Sequence, residues 1–261
     1  MQRSTIMFED LYEFIKNYNL DDTNIIIHDS DELKDKLLKI LKKRIYDAKQ
    51  AYIVLVDNNL TSDAILIAGH ILETAATILY VNDSDTKYHA QKYIAKSSIM
   101  HLYSLFKNVP FAESLKASIE DTISALRTYG SYIIKDNLTV KQSDKNTLNA
   151  FILNILSNIH VPYEAKTKVI GYFYELPTVS DNVRYFCKRM ELKYKTKSLE
   201  EIKQPLSLVS AFYDHYCTIK HANIECCCYE ELEADKLKPI NFSPKQSIPI
   251  VAYCLDMIQN I

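Results

Sequence analysis

From Glu32 to about Asn58 the apolar residues Leu33, Leu37, Ile40, Leu41, Ile45, Ala48, Tyr52, Leu55 and Val56 recur at helical spacing, with a lysine-rich face opposite. The pattern predicts one long amphipathic helix. The stretch NNLTSD, 58–63, predicts a tight connection with Thr61 or Ser62 as N-cap. The next segment, about 63–81, is apolar nearly all round, which places it at the centre of a bundle. Before these, a short helix is predicted at about 7–17 and a brief extended piece at NIIIHD, 24–29. Asp29 and Ser30 read as helix starters.

Further along, the spacing predicts a Tyr-rich helix at 87–107 and helices at about 111–130, 144–158, 163–175, 181–194 and 204–222, with a last one at about 248–259. Pro110, Pro162 and Pro177 fall at the breaks, and Ser180 or Asp181 caps the helix that follows. Pro205 and Pro249 fit first turns, where a missing N–H is no loss. Lys193 to Lys203 is charged and reads as surface, and 235–247, with two prolines, reads as a loop. There is no repeat, linker or low-complexity tract. The expectation is one all-α domain over 1–261, a helical bundle with core helices at about 30–107 and 181–223 and peripheral helices at 111–175 and 248–259.

Composition agrees. Only three glycines occur in 261 residues, too few for the tight turns of a β-rich or α/β chain of this size. Hydrophobic residues make up 48% and charged ones 25%, which suits a packed core and argues against disorder. A net charge of −2 advertises no basic field. The N-terminal MQRSTIMFEDLYEF has acidic residues where a secretory signal needs an apolar run. The longest apolar stretch, 64–81, carries His70 and Glu73 near its middle, so no membrane span is expected. The six cysteines, three of them consecutive at Cys226, Cys227 and Cys228, are then expected as reduced thiols in the cytoplasm.

Two polar clusters stand out. On a helix over 204–222, Ser207, Ser210, Asp214, Cys217, Thr218 and His221 form one stripe, with Val209, Phe212, Tyr213, Tyr216 and Ile219 mainly opposite. His215 and His221 are six apart and do not share a face, and adjacent cysteines cannot converge on one tetrahedral ion, so no metal is expected. The second cluster is His70, Glu73, Thr74 and Thr77 inside the apolar helix. A carboxylate there needs a partner: His70, or a basic group on another helix, with Lys220 and His221 as candidates. The plainer readings are a structural Glu–His pair, and a His and Lys that meet the carbonyls of a helix end. There is no GxSxG, HExxH or Gly-rich phosphate loop, and no cofactor is expected. Arg184, Lys188 and Arg189 form either a solvated face or a modest phosphate-contacting strip.

The blocks HILETAATILYV, 70–81, and YCTIKHAN, 216–223, resemble those of bacterial members of the HEPN superfamily. There, an apolar helix carries an Arg–x–x–x–Glu-type signature and a late helix ends in a His-containing turn. The resemblance covers about 60 residues in two blocks. It implies a helical bundle, commonly a homodimer, and among toxin or antiphage-defence members a metal-independent endoribonuclease. In active members the 2′-hydroxyl attacks, a His supports proton transfer, and an Arg a few residues before it steadies the phosphate. The His matches His221. The Arg position falls at Asp214, His215 or Tyr216, so the motif Arg is missing, and His70 stands where relatives often have Arg. The resemblance therefore implies RNA as partner, with His221, His215, Lys220 and Glu73 as catalytic candidates and Asn223, Asp214 and His70 as substrate-binding ones. The alternative is a catalytically inactive helical module that binds a protein partner or senses a small molecule.

Overall fold

A computed structural model of the chain describes residues 8–20, 26–83, six positions between 89 and 97, 179–193, 199–220, 229–233, 236–239 and 244–261. The described part is a helical bundle with one short ribbon. Its elements are α1 (Phe8–Asn17), α2 (Leu33–Asp57), α3 (Thr61–Asn82), α4 (Val179–Lys193), α5 (Leu199–Lys220), β1 (Tyr229–Glu233), β2 (Lys236–Pro239), a 3₁₀ turn (Pro244–Ser247) and α6 (Ile248–Ile258). The chain divides into two compact units. One comprises 1–31, 35–82 and 178–261; the other comprises 32–34 and 83–177. The helices expected at 111–130, 144–158 and 163–175, together with His221, Asn223 and Cys226–Cys228, lie outside the described residues.

The all-α expectation holds. The predicted bounds of α2 and α3 fall within about two residues of those observed. The α2–α3 turn follows from its asparagines. Asn59 takes the left-handed conformation, φ 56°, which Asn tolerates better than most residues. Its N–H bonds to the Val56 carbonyl at 3.1 Å and the Leu60 N–H to that of Leu55 at 2.9 Å, the two bonds of a Schellman ending. Helix α3 starts at Thr61, so the capping position falls on Leu60 and not on Thr61 or Ser62 as expected.

Helix α3 is buried along most of its length, from Ala64 through Val81. Helices α4 and α5 pack on it and on each other, and α6 packs on α3 and α1. Among the described residues α3 is the one helix long and apolar enough to cross a membrane, and 78% of its most apolar window is buried. Helix α6, expected at the periphery, is itself buried at nine of its eleven residues, with Pro249 in its first turn. The fully buried Tyr52 of α2 meets Ser247 just before α6, hydroxyl to hydroxyl at 2.8 Å. Lys49, 1% exposed, reaches the Tyr18 carbonyl at 2.5 Å and ties the segment after α1 to α2.

Two elements differ from expectation. Helix α5 begins at Leu199, not near 204, so Pro205 sits inside it rather than in its first turn. The run LEEIKQ is helix-forming, and the buried face Val209, Phe212, Tyr216 and Ile219 holds the helix despite one lost backbone bond. The segment read as loop from 235 contains β2, paired antiparallel to β1 with Glu230 opposite Lys238, and the 3₁₀ turn.

Candidate functional site

Four polar side chains interrupt α3. Two are settled within the helix: Thr74 Oγ1 donates to the His70 carbonyl at 2.8 Å, and Thr77 Oγ1 to that of Glu73 at 2.9 Å. Such back-bonding satisfies a buried hydroxyl without a tertiary partner. His70 and Glu73, three apart on one face and half-buried, are left to find partners on other helices.

Helix α5 supplies the first. Gly69 has no side chain, and a Cβ there would overlap the Cγ, Cδ2 and Cε2 of Tyr216. The Tyr216 ring, 4% exposed, thus lies directly on the α3 backbone. One turn further along both helices, Lys220 Nζ lies 3.1 Å from Glu73 Oε1. The steps 69 to 73 and 216 to 220 have the same sign, so α3 and α5 run in the same direction where they touch. Lys220 Nζ is also 5.2 Å from the Tyr216 ring centroid. Burial works against the Lys220 charge, but hydrogen bonds to Tyr216 and Glu73 outweigh it and raise its pKa. Burial raises the Tyr216 phenol, against the pull of Lys220. Burial, then Cys217 and Glu73, push Tyr213 up strongly. Both phenols are thus held neutral beside the ion pair.

Helix α2 supplies the second. Arg44 Nε–H donates to His70 Nε2 at 2.7 Å. Accepting there requires a lone pair on Nε2, so the imidazole is neutral and carries its proton on Nδ1. The electrostatics agree: burial lowers the His70 pKa, Arg44 lowers it further, Glu73 opposes and Lys220 adds to the fall. The result is a half-exposed cluster of guanidinium, neutral imidazole, carboxylate and ammonium drawn from three helices.

Of the residues expected at the site, Glu73, Lys220 and His70 are together. His215 and Asp214 are not with them. On α5 they lie roughly 140° and 120° around the axis from Lys220, whose own face carries Tyr213, Tyr216 and Cys217. His221 directly follows Lys220 in the chain, but it and Asn223 lie outside the described residues. Arg44 was missed, because an arginine in a lysine-rich face reads as solvated. A signal existed in the hairpin: Arg44 lies 14 residues before Asn58, at the start of the α2–α3 turn, and His70 lies 10 residues after Leu60, at its end. Across an antiparallel pair that mismatch is about one turn, within reach of an arginine. Among the described residues no three His, Cys, Asp or Glu side chains gather as a metal site. Set against known proteins, the chain matches no protein-family model, no curated protein and no solved structure.

Proposed function

We propose that this chain is an RNA-directed protein of HEPN type, a metal-independent endoribonuclease acting in toxin or antiphage-defence systems. The observation that carries the reading is the contact of Arg44 with His70 beside the Glu73–Lys220 pair. Linear spacing leaves the motif without its arginine, and we assign that role to Arg44 of α2. In the reaction, His221 takes the proton of a 2′-hydroxyl, which attacks the adjacent phosphorus and forms the 2′,3′-cyclic phosphate; the P–O bond to the next nucleotide breaks, and its 5′-oxygen leaves as a hydroxyl with a proton from water. Arg44 and Lys220 face the charge that grows on the phosphoryl oxygens. Glu73 orients Lys220, and neutral His70 holds Arg44 until a phosphate draws it away.

A second reading has its own support. Arg44 with His70 and Lys220 with Glu73 satisfy one another without a ligand, as they would in a purely structural cluster of an inactive interaction module. One experiment separates the two. Assorted RNAs are incubated in EDTA with the wild type, His221→Ala and Arg44→Ala, each checked for helicity by circular dichroism. The nuclease reading expects products ending in a 2′,3′-cyclic phosphate, none with His221→Ala, and a rate about 10²- to 10³-fold lower with Arg44→Ala, the usual cost of one charge-stabilising donor. Equal background cleavage from all three proteins removes the nuclease and leaves the interaction module.

A further inference from the structure

We propose that the groove between α4 and α5 is a binding site for a phosphate-bearing nucleotide unit. Arg184, Cys187, Lys188 and Glu191 of α4 and Ser210 of α5 line an open groove of about 380 Å³. That volume lies within the range of small-ligand sites. Arg184, Lys188 and Leu192 succeed one another at four-residue steps, so one exposed strip of α4 carries two cations and then an apolar side chain that is 52% exposed. On the floor the half-buried Cys187 thiol is hydrogen-bonded to the Ser210 hydroxyl. The lining thus offers two cations to a phosphate and the Glu191 carboxylate to ribose hydroxyls or base amino groups; Leu192, one turn beyond Lys188 and outside the lining, extends the strip with an apolar side chain.

The charge is local. The whole chain carries a formal −2, whereas the groove has two cations against one carboxylate. Its position is also informative. Ser210 is ten residues before Lys220 on α5, about 15 Å along the axis. The exposed face of α5 between them carries Asp214 and the half-exposed Cys217. A strand of a few nucleotides spans that distance. The nucleotide is therefore either a unit of the RNA whose scissile phosphate sits at Arg44 and Lys220, or a free mononucleotide. The first alternative rests on the function proposed above; the second does not.

The test compares the full chain with Arg184→Ala/Lys188→Ala, and with Lys16→Ala/Lys36→Ala as a control that removes equal charge elsewhere. Binding of a short fluorescein-labelled single-stranded RNA is followed by anisotropy in EDTA at rising KCl, and binding of AMP by calorimetry. For a groove that holds RNA, the Arg184/Lys188 variant binds more weakly. Its slope of log K against log salt is shallower by about 0.7, the contribution of the one phosphate that both cations hold on a single strand. The control keeps the wild-type slope. If AMP binds the wild type but not the variant, while RNA binding is absent or unaltered, the site stands and its ligand is the free nucleotide. The proposal is overturned if the variant keeps wild-type affinity for both probes, or if the wild type binds neither. Cleavage is scored separately. RNA bound through the groove but left intact removes the nuclease and keeps this site, whereas cleavage with unaltered binding of both probes does the reverse.

Discussion

Replacing Gly69 by alanine tests the contact on which the candidate site is built. In an ordinary helix interior this change stabilises by about 1 kcal/mol, because alanine restricts the unfolded chain and glycine does not. Here the new methyl would overlap three ring atoms of Tyr216. The ring is 4% exposed and lies between α3 and α5, so it cannot swing into water. Forcing extra volume into such a contact typically costs about 1–3 kcal/mol, with the upper end expected where the overlap is with a ring. The net effect is a loss of about 1–2 kcal/mol. Urea unfolding followed by circular dichroism measures it. A Tyr216→Ala background supplies the control: with the ring and its Cγ gone, Gly69→Ala should recover its intrinsic gain, giving a coupling energy of about 2–3 kcal/mol between the two positions. If Gly69→Ala is as stable as the wild type, or the two changes are additive, Tyr216 does not rest on Gly69 and the register of α5 on α3 is set by something else.

Three further outcomes follow from the geometry. In an NMR titration His70 should titrate below 6.5, and Arg44→Ala should move the midpoint up, since Arg44 favours the neutral ring. A pKa lower in the folded than in the unfolded state means that the unfolded chain binds the extra proton, so stability is complete above about pH 6.5 and falls as pH drops toward the folded value. Asn59→Gly should leave stability unchanged or slightly raised in urea unfolding, whereas Asn59→Val, forced to the same positive φ, should lose about 1–2 kcal/mol. Tyr52→Phe should lose about 0.5–1.5 kcal/mol through the bond to Ser247, read from the shift in urea midpoint at unchanged slope.

The helices of this chain were legible because their apolar residues keep one period over several turns. In α2 the marked residues Leu37, Leu41, Ile45, Ala48, Tyr52 and Val56 are buried, whereas Ile40 is 50% exposed and Lys42 and Lys49, read as part of a solvated face, are buried; in α3 the near absence of a polar face predicted its central place. The start of α5 was not legible, because Pro205 reads as a first-turn residue and the burial that holds Leu199–Gln204 in the helix lies further along. The ribbon was missed because Tyr229–Glu233 and Lys236–Pro239 are rich in Glu and Lys, which are depleted in strands. At the site, His70 and Glu73 were visible as polar groups on an apolar helix, which must find partners. Lys220 was one of two named candidates. Arg44 was hidden in the local pattern, because a cation on a charged face looks the same whether water or an imidazole lies opposite; only the hairpin spacing set it level with His70.

Packing and chemistry at this site share one determinant. Glu73 and Lys220 meet because they stand one turn beyond the Gly69–Tyr216 contact on helices that run the same way. The ion pair itself is too weak to set that register: Lys220 is 41% exposed, and pairs of that kind contribute about 0–1 kcal/mol. The buried ring against bare backbone is the stronger term, since one large aromatic side chain in a core carries about 3–5 kcal/mol. A slip of α5 by one residue would rotate Lys220 by about 100° and bring the buried Ile219 toward Glu73, leaving a half-buried carboxylate against an apolar side chain. The glycine therefore excludes the wrong register sterically, and the carboxylate excludes it electrostatically. Two independent penalties on the same displacement hold the ammonium at Glu73, on the face of α3 where Arg44 meets His70.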